Sequence, residues 1–207
     1  MIKGKLRKFQ EILMNRQQFI GLTLTGLVSI MSLGTLSRGS AWGQTSIDQA
    51  TLRNTALSKH NTYRTTHHSD AMTIGDSLNS TAESWAKQMA TTGVLAHSSS
   101  SQRNGAGENL YVSYTTAASI ATDTLANSAV NSWYGEVAQY NYANPGFAAS
   151  TGHFTQVVWK SSTQLGCGAA QGTKTINGTE YKAFYVVCHY APAGNMTGQF
   201  PANVLQP

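Results

Sequence analysis

Residues 163–191 read TQLGCGAAQGTKTINGTEYKAFYVVCHYA. Two strand-like runs flank Asn177-Gly178, and Asn-Gly between such runs is the strongest short signal for a two-residue β-hairpin turn. Counting outward from a hydrogen-bonded 176/179 pair, Cys167 falls opposite Cys188 in an unbulged ladder. The ninth step lands on a non-hydrogen-bonded pair, where side chains of antiparallel strands lie closest. These are the chain's only two cysteines. A cross-strand disulfide is the expectation, and a pair of buried thiols is the alternative.

Upstream of the hairpin the periodicity becomes helical. Leu52, Ala56, Leu57, His60 and Tyr63 recur at steps of three to four, predicting a first helix over about Ile47 to Arg64. Leu78, Ala82, Trp85, Ala86 and Met89 form the stripe of a second, capped by Asp76 or Ser77 and closed by Gly93. A third runs from Ala117 or Asp123 to Tyr140 through Leu125, Ala129, Val130, Trp133 and Val137. GENLYVSY reads as extended, HSSSSQRNGAG (97–107) as a flexible surface loop, and the tail from Ala191 as coil. Helices with a terminal hairpin and a further strand make an α+β or layered α/β domain.

The first 43 of the 207 residues differ from the rest. A basic head (Lys3, Lys5, Arg7, Lys8, Arg16) precedes an apolar stretch, Phe19 to Leu36, and then Ala41-Trp42-Gly43. This is the three-part pattern of a secretory signal peptide at 1–43, with an uncleaved anchor as the alternative. Residues 44–49 form a short polar lead-in and 50–207 a single domain. Six of the 14 bases and one of the nine acids lie in the leader, so the remainder balances at eight against eight. That neutrality gives no footing for nucleic acid as a partner, and no membrane span is expected after cleavage.

Four motifs place ionisable side chains where they need partners: AHS at His97, GENL at Glu108, WYGE at Glu136 and GHFTQ at His153. Glu136 borders the apolar face of its helix, and a carboxylate there needs a partner or a cleft. HExxH, GxSxG and CxxC are all missing from the sequence, and spacing alone does not unite the four. His60, Asn61 and Arg64 read as braces of the core, His67-His68 as members of a solvated loop, and His189 as packed or exposed on the face opposite Cys188.

The stretch NYANPGFAASTGHFTQVVWKSSTQLGCG (141–168), with HNTYR, AHS, GAGENLY, SWYGEVAQYNY and VVCHYAPAGNMTGQF in that order, resembles the CAP superfamily. That group comprises the cysteine-rich secretory proteins, antigen 5 and pathogenesis-related 1 proteins, which share the SCP domain. The resemblance implies a three-layer α-β-α sandwich with a small antiparallel sheet. It also implies a cleft lined by His97, His153, Glu108 and Glu136. Such a cleft suits a divalent cation, zinc above all, on the two histidines with the glutamates in support. It implies a secreted, extracellular or periplasmic binding module with a lipid, sterol or extracellular protein as partner. The alternatives are a peptidase-like metal-dependent hydrolase using Glu108 or Glu136, and a surface interaction protein whose tetrad is structural. This chain departs from many relatives in having a single cysteine pair and in reading Ala71-Met72-Thr73 where prolines are common.

Overall fold

The computed structural model describes residues 46–207. The leader expected at 1–43 lies outside them. Helix α1 (Gln49–Thr66) is capped by Asp48, whose carboxylate accepts from the Ala50 and Thr51 amides. A two-residue strand β1 (Thr73–Ile74) leads into α2 (Asp76–Thr92), which ends on Gly93 in the left-handed conformation. Strand β2 (Gly107–Thr115), α3 (Thr122–Gly135) and a 3-10 turn (Glu136–Gln139) follow. A short α4 (Gly152–Val158) then precedes the long hairpin β3 (Gln164–Ile176) and β4 (Thr179–Ala191), and α5 (Phe200–Asn203) closes the chain.

The sheet order is β1-β3-β4-β2, antiparallel except where β1 runs parallel to β3. The hairpin has the register read from the sequence, with Ile176 opposite Thr179 and Cys167 opposite Cys188. Asn177 and Gly178 both take positive φ, at 51° and 80°, as a type I′ turn requires. Cys167 and Cys188 are disulfide-bonded, with Cα atoms 4.2 Å apart. Reduction should raise the intact mass by two hydrogen atoms and cost about 3 kcal/mol of stability for a loop of this size. An unchanged mass would contradict the bridge.

Period two sorts the sheet into two faces. Leu165, Cys167, Ala169, Phe184, Val186, Cys188 and Tyr190 meet α1, α3 and α4 in the larger core. Ala183, Tyr185, Val187 and Leu110 meet Ala82, Ala86 and Met89 of α2. The protein is thus an α+β three-layer sandwich. Glycines at 166, 168 and 172 let α2 lie against the backbone of β3: a Cβ on Gly168 would stand 2.3 Å from the Glu83 Cα.

Several readings from the sequence need correction: the tail is not all coil, since Phe200–Asn203 form α5, and α2 starts at Asp76 with Gly75 as its cap and no side-chain cap bond. Helix α3 ends at Gly135 rather than Tyr140, because the chain tightens to 3-10 geometry while Val137 and Tyr140 still pack on the core. His67 is not solvated but fully buried, with Nδ1 2.7 Å from the Leu205 carbonyl and Nε2 3.0 Å from the Tyr134 hydroxyl. The serine-rich loop is pinned: Gln102 Oε1 accepts from the amide and hydroxyl of Ser99, and Arg103 donates to the carbonyls of Ser98 and Ala106.

Candidate functional site

The structure arranges the four candidate residues as two histidine–glutamate pairs. In the first, Glu108 on β2 turns toward α2 and is 1% exposed. Its Oε1 accepts from His97 Nδ1 at 2.7 Å and from the Ser98 amide at 3.0 Å. Its Oε2 accepts from the Ser98 hydroxyl at 2.7 Å and from His189 Nε2 at 3.0 Å. Burial pushes the Glu108 pKa up, but the bonds from His189, His97 and Ser98 outweigh it and hold the group down at about 2.

In the second pair, Glu136 opens the 3-10 turn after α3 and reaches the start of α4. Its Oε1 lies 2.7 Å from His153 Nδ1. Its Oε2 accepts from the backbone amides of His153 and Phe154 at 2.9 and 3.1 Å. Helix α4 has no side-chain cap of its own, so Glu136 satisfies two first-turn amides that Thr151 leaves open. The same carboxylate therefore orients both the helix and its histidine.

The pairs are tied together through Asn109, next to Glu108 but on the opposite face of β2. Its amide donates to the His153 carbonyl at 3.1 Å and to the Tyr190 hydroxyl at 3.0 Å. Tyr190 in turn meets His60 Nε2 at 2.9 Å, and His60 Nδ1 meets the Ala56 carbonyl at 2.7 Å. Burial drives the His60 pKa down to about 4, so this ring is neutral and braces α1 against the sheet. Asn61 bonds both ways with the backbone of Met72.

An ionised Glu108 accepts and cannot donate, so the neutral tautomer of His97 that fits this contact has its proton on Nδ1 and its lone pair on Nε2. Glu136, already accepting from two amides, imposes the same form on His153. His97 is 61% exposed and His153 32%, so both rings are accessible to solvent. A carboxylate behind an imidazole is the usual outer partner of a metal-ligating histidine. Among the described residues, no group of three or more His, Cys, Asp or Glu side chains is arranged to hold a metal.

Two participants escaped the reading of the sequence. Ser98 supplies two of the four donors to Glu108, and His189 supplies a third while fully buried. The signal for Ser98 was its place directly after His97. For His189 it was the alternation along β4, which puts it on the α2 face with no carboxylate in view until β2 is paired.

Acid tests the first pair. A carboxylate whose folded pKa is depressed contributes stability that is complete above its unfolded value near 4.5 and is lost as pH falls toward about 2. His97 and His189 are the titratable groups that face it. Denaturation midpoints measured from pH 6 to pH 2 should show about 3 kcal/mol of acid-sensitive stability that Glu108→Gln lacks.

The model of the CAP, or cysteine-rich secretory protein, family matches residues 57–190. The chain belongs to this family. It is 36% identical over 157 residues to the human Golgi-associated plant pathogenesis-related protein 1, covering 74% of this chain and 92% of that protein. It is 38% identical over 150 residues to Protein PRY2 of Saccharomyces cerevisiae, covering 72% of this chain but only 40% of the yeast protein. Among solved CAP structures, that of NaASP2 with Zn2+ superposes with a TM-score of 0.58 at 27% identity, covering 76% of this chain and 87% of that one. BmVAL-1 superposes at 0.60 with 25% identity, covering 76% and 84%.

Proposed function

We propose that this CAP domain is an exported binding module whose His97 and His153 hold a divalent cation, with zinc the best chemical match. The observation that carries this is the shared construction of the two halves: each imidazole rests its Nδ1 on a carboxylate at 2.7 Å. That leaves Nε2 as the donor. A CAP relative whose structure contains zinc adds support. Glu108 and Glu136 orient and charge-balance the imidazoles, and affinity rises with pH as the histidines lose competing protons.

Calorimetric titration of zinc at neutral pH should give one-to-one binding. The His97→Ala/His153→Ala double variant, shown to be folded by circular dichroism, should lose it. Binding that survives in the folded double variant would place the cation elsewhere.

The hydrolase reading fares less well. Two imidazoles are fewer than the three protein ligands usual for catalytic zinc. The amides of His153 and Phe154, the nearest candidates for an oxyanion site, are already committed to Glu136. A lipid or sterol ligand has one feature in its favour. Phe147 is 63% exposed and borders a groove of about 250 Å³ with Tyr140 and Pro145. Loss of sterol capture on Phe147→Ser would support that ligand, and capture unchanged by the substitution would remove it.

A further inference from the structure

We propose that His189 is a fifth member of this cleft, a positioning residue that fixes the Glu108 carboxylate and, through it, the ring of His97. The proposal deepens the cation-binding reading and is tested separately from it. His189 lies opposite Glu108 in the β2–β4 ladder and is fully buried. Its Nε2 is 3.0 Å from Glu108 Oε2, and its Nδ1 is 2.9 Å from the hydroxyl of Thr81 on α2. Opposite His189 on its other side stands Gly166, where a Cβ would fall 2.2 Å from the Asn79 amide nitrogen. The glycine lets α2 approach closely enough for Thr81 to reach the ring.

The other donors to Glu108 come from His97 and Ser98, on the loop that the carboxylate itself organises. They cannot define a position that they depend on. His189 is the one donor mounted on the central sheet, with its far nitrogen anchored on a helix. It therefore sets where the carboxylate stands, and the carboxylate sets which nitrogen His97 presents.

The side chain of Gln reaches the position of a histidine Nε2, whereas Asn reaches only that of Nδ1. His189→Gln should therefore keep the donor to Glu108, and His189→Asn should lose it. The readout is the ring nitrogen shifts of His97 in the metal-free protein, above the imidazole titration range. The wild type and His189→Gln should show the Nδ1–H form, and His189→Asn a shift toward Nε2–H. Zinc affinity should fall about tenfold in the Asn variant alone. The same His97 form in both variants would overturn the proposal. Should His189→Asn fail to fold, Thr81→Val, which frees the far side of the ring, should move His97 in the same direction; an unchanged His97 there would also overturn it. A wild type that binds no zinc while the Gln/Asn contrast persists would remove the cation reading and leave the positioning role standing.

Discussion

Arg64→Met will leave little folded protein. The Arg64 side chain is wholly buried, and its guanidinium donates to five backbone carbonyls: Asp70, Val157, Trp159, Lys160 and Ser162. Burial lowers its pKa to about 10, so it stays charged at neutral pH. That charge sits where α4 ends, the favourable end of a helix for a cation. Methionine matches the stem but orphans a cluster of buried carbonyls, each costing about 1–3 kcal/mol. A loss of at least about 4 kcal/mol is expected in denaturant titration. Lysine, with a compact ammonium in place of the planar fork, should recover only part of it. Near-wild-type stability for the Met variant would show that these carbonyls find water.

Gly168→Ala should be nearly as damaging, by the opposite mechanism. Its Cβ would stand 2.3 Å from the Glu83 Cα and 2.4 Å from its amide nitrogen. Both are helix backbone, so α2 itself must move. Such overpacking costs typically 1–3 kcal/mol, and a clash with main chain belongs at or above the top of that range. Gly135 at the end of α3 supplies the control, because an added Cβ there meets nothing within 4 Å. Gly135→Ala should be neutral or mildly stabilising. Equal effects at the two positions would show that α2 is not seated on the β3 backbone.

These two sites also show where the sequence speaks and where it is silent. The hairpin was legible because its signal is local: a turn dipeptide fixes the register, and the register fixes the cysteines. The three long helices were legible from their periodicity. Helix α4 was not, because it is seven residues long and Phe154 to Val158 are all buried, polar Thr155 and Gln156 included, so no polar–apolar alternation marks a period. The end of α3 was misplaced for a related reason. Val137 and Tyr140 continue the apolar rhythm through a turn that is no longer α-helical.

Polar residues were harder still. His67, Ser98 and His189 owe their roles to Leu205, Glu108 and Thr81, partners supplied by other elements. That His97, Glu108, Glu136 and His153 line one cleft became an expectation only through resemblance to the family, and which glutamate meets which histidine came only from the fold. The glycines facing α2 carried a period-two signal that marks close backbone approach, but it names no partner.

In the proposed site two imidazoles, each fixed from behind by a carboxylate, present Nε2 to one cation. The X-ray absorption spectrum of the zinc-loaded protein tests it most directly. Two imidazole nitrogens are expected at about 2.0–2.1 Å, with the remaining shell made of oxygen donors. A zinc shell without imidazole scattering, or with only one imidazole, would contradict it.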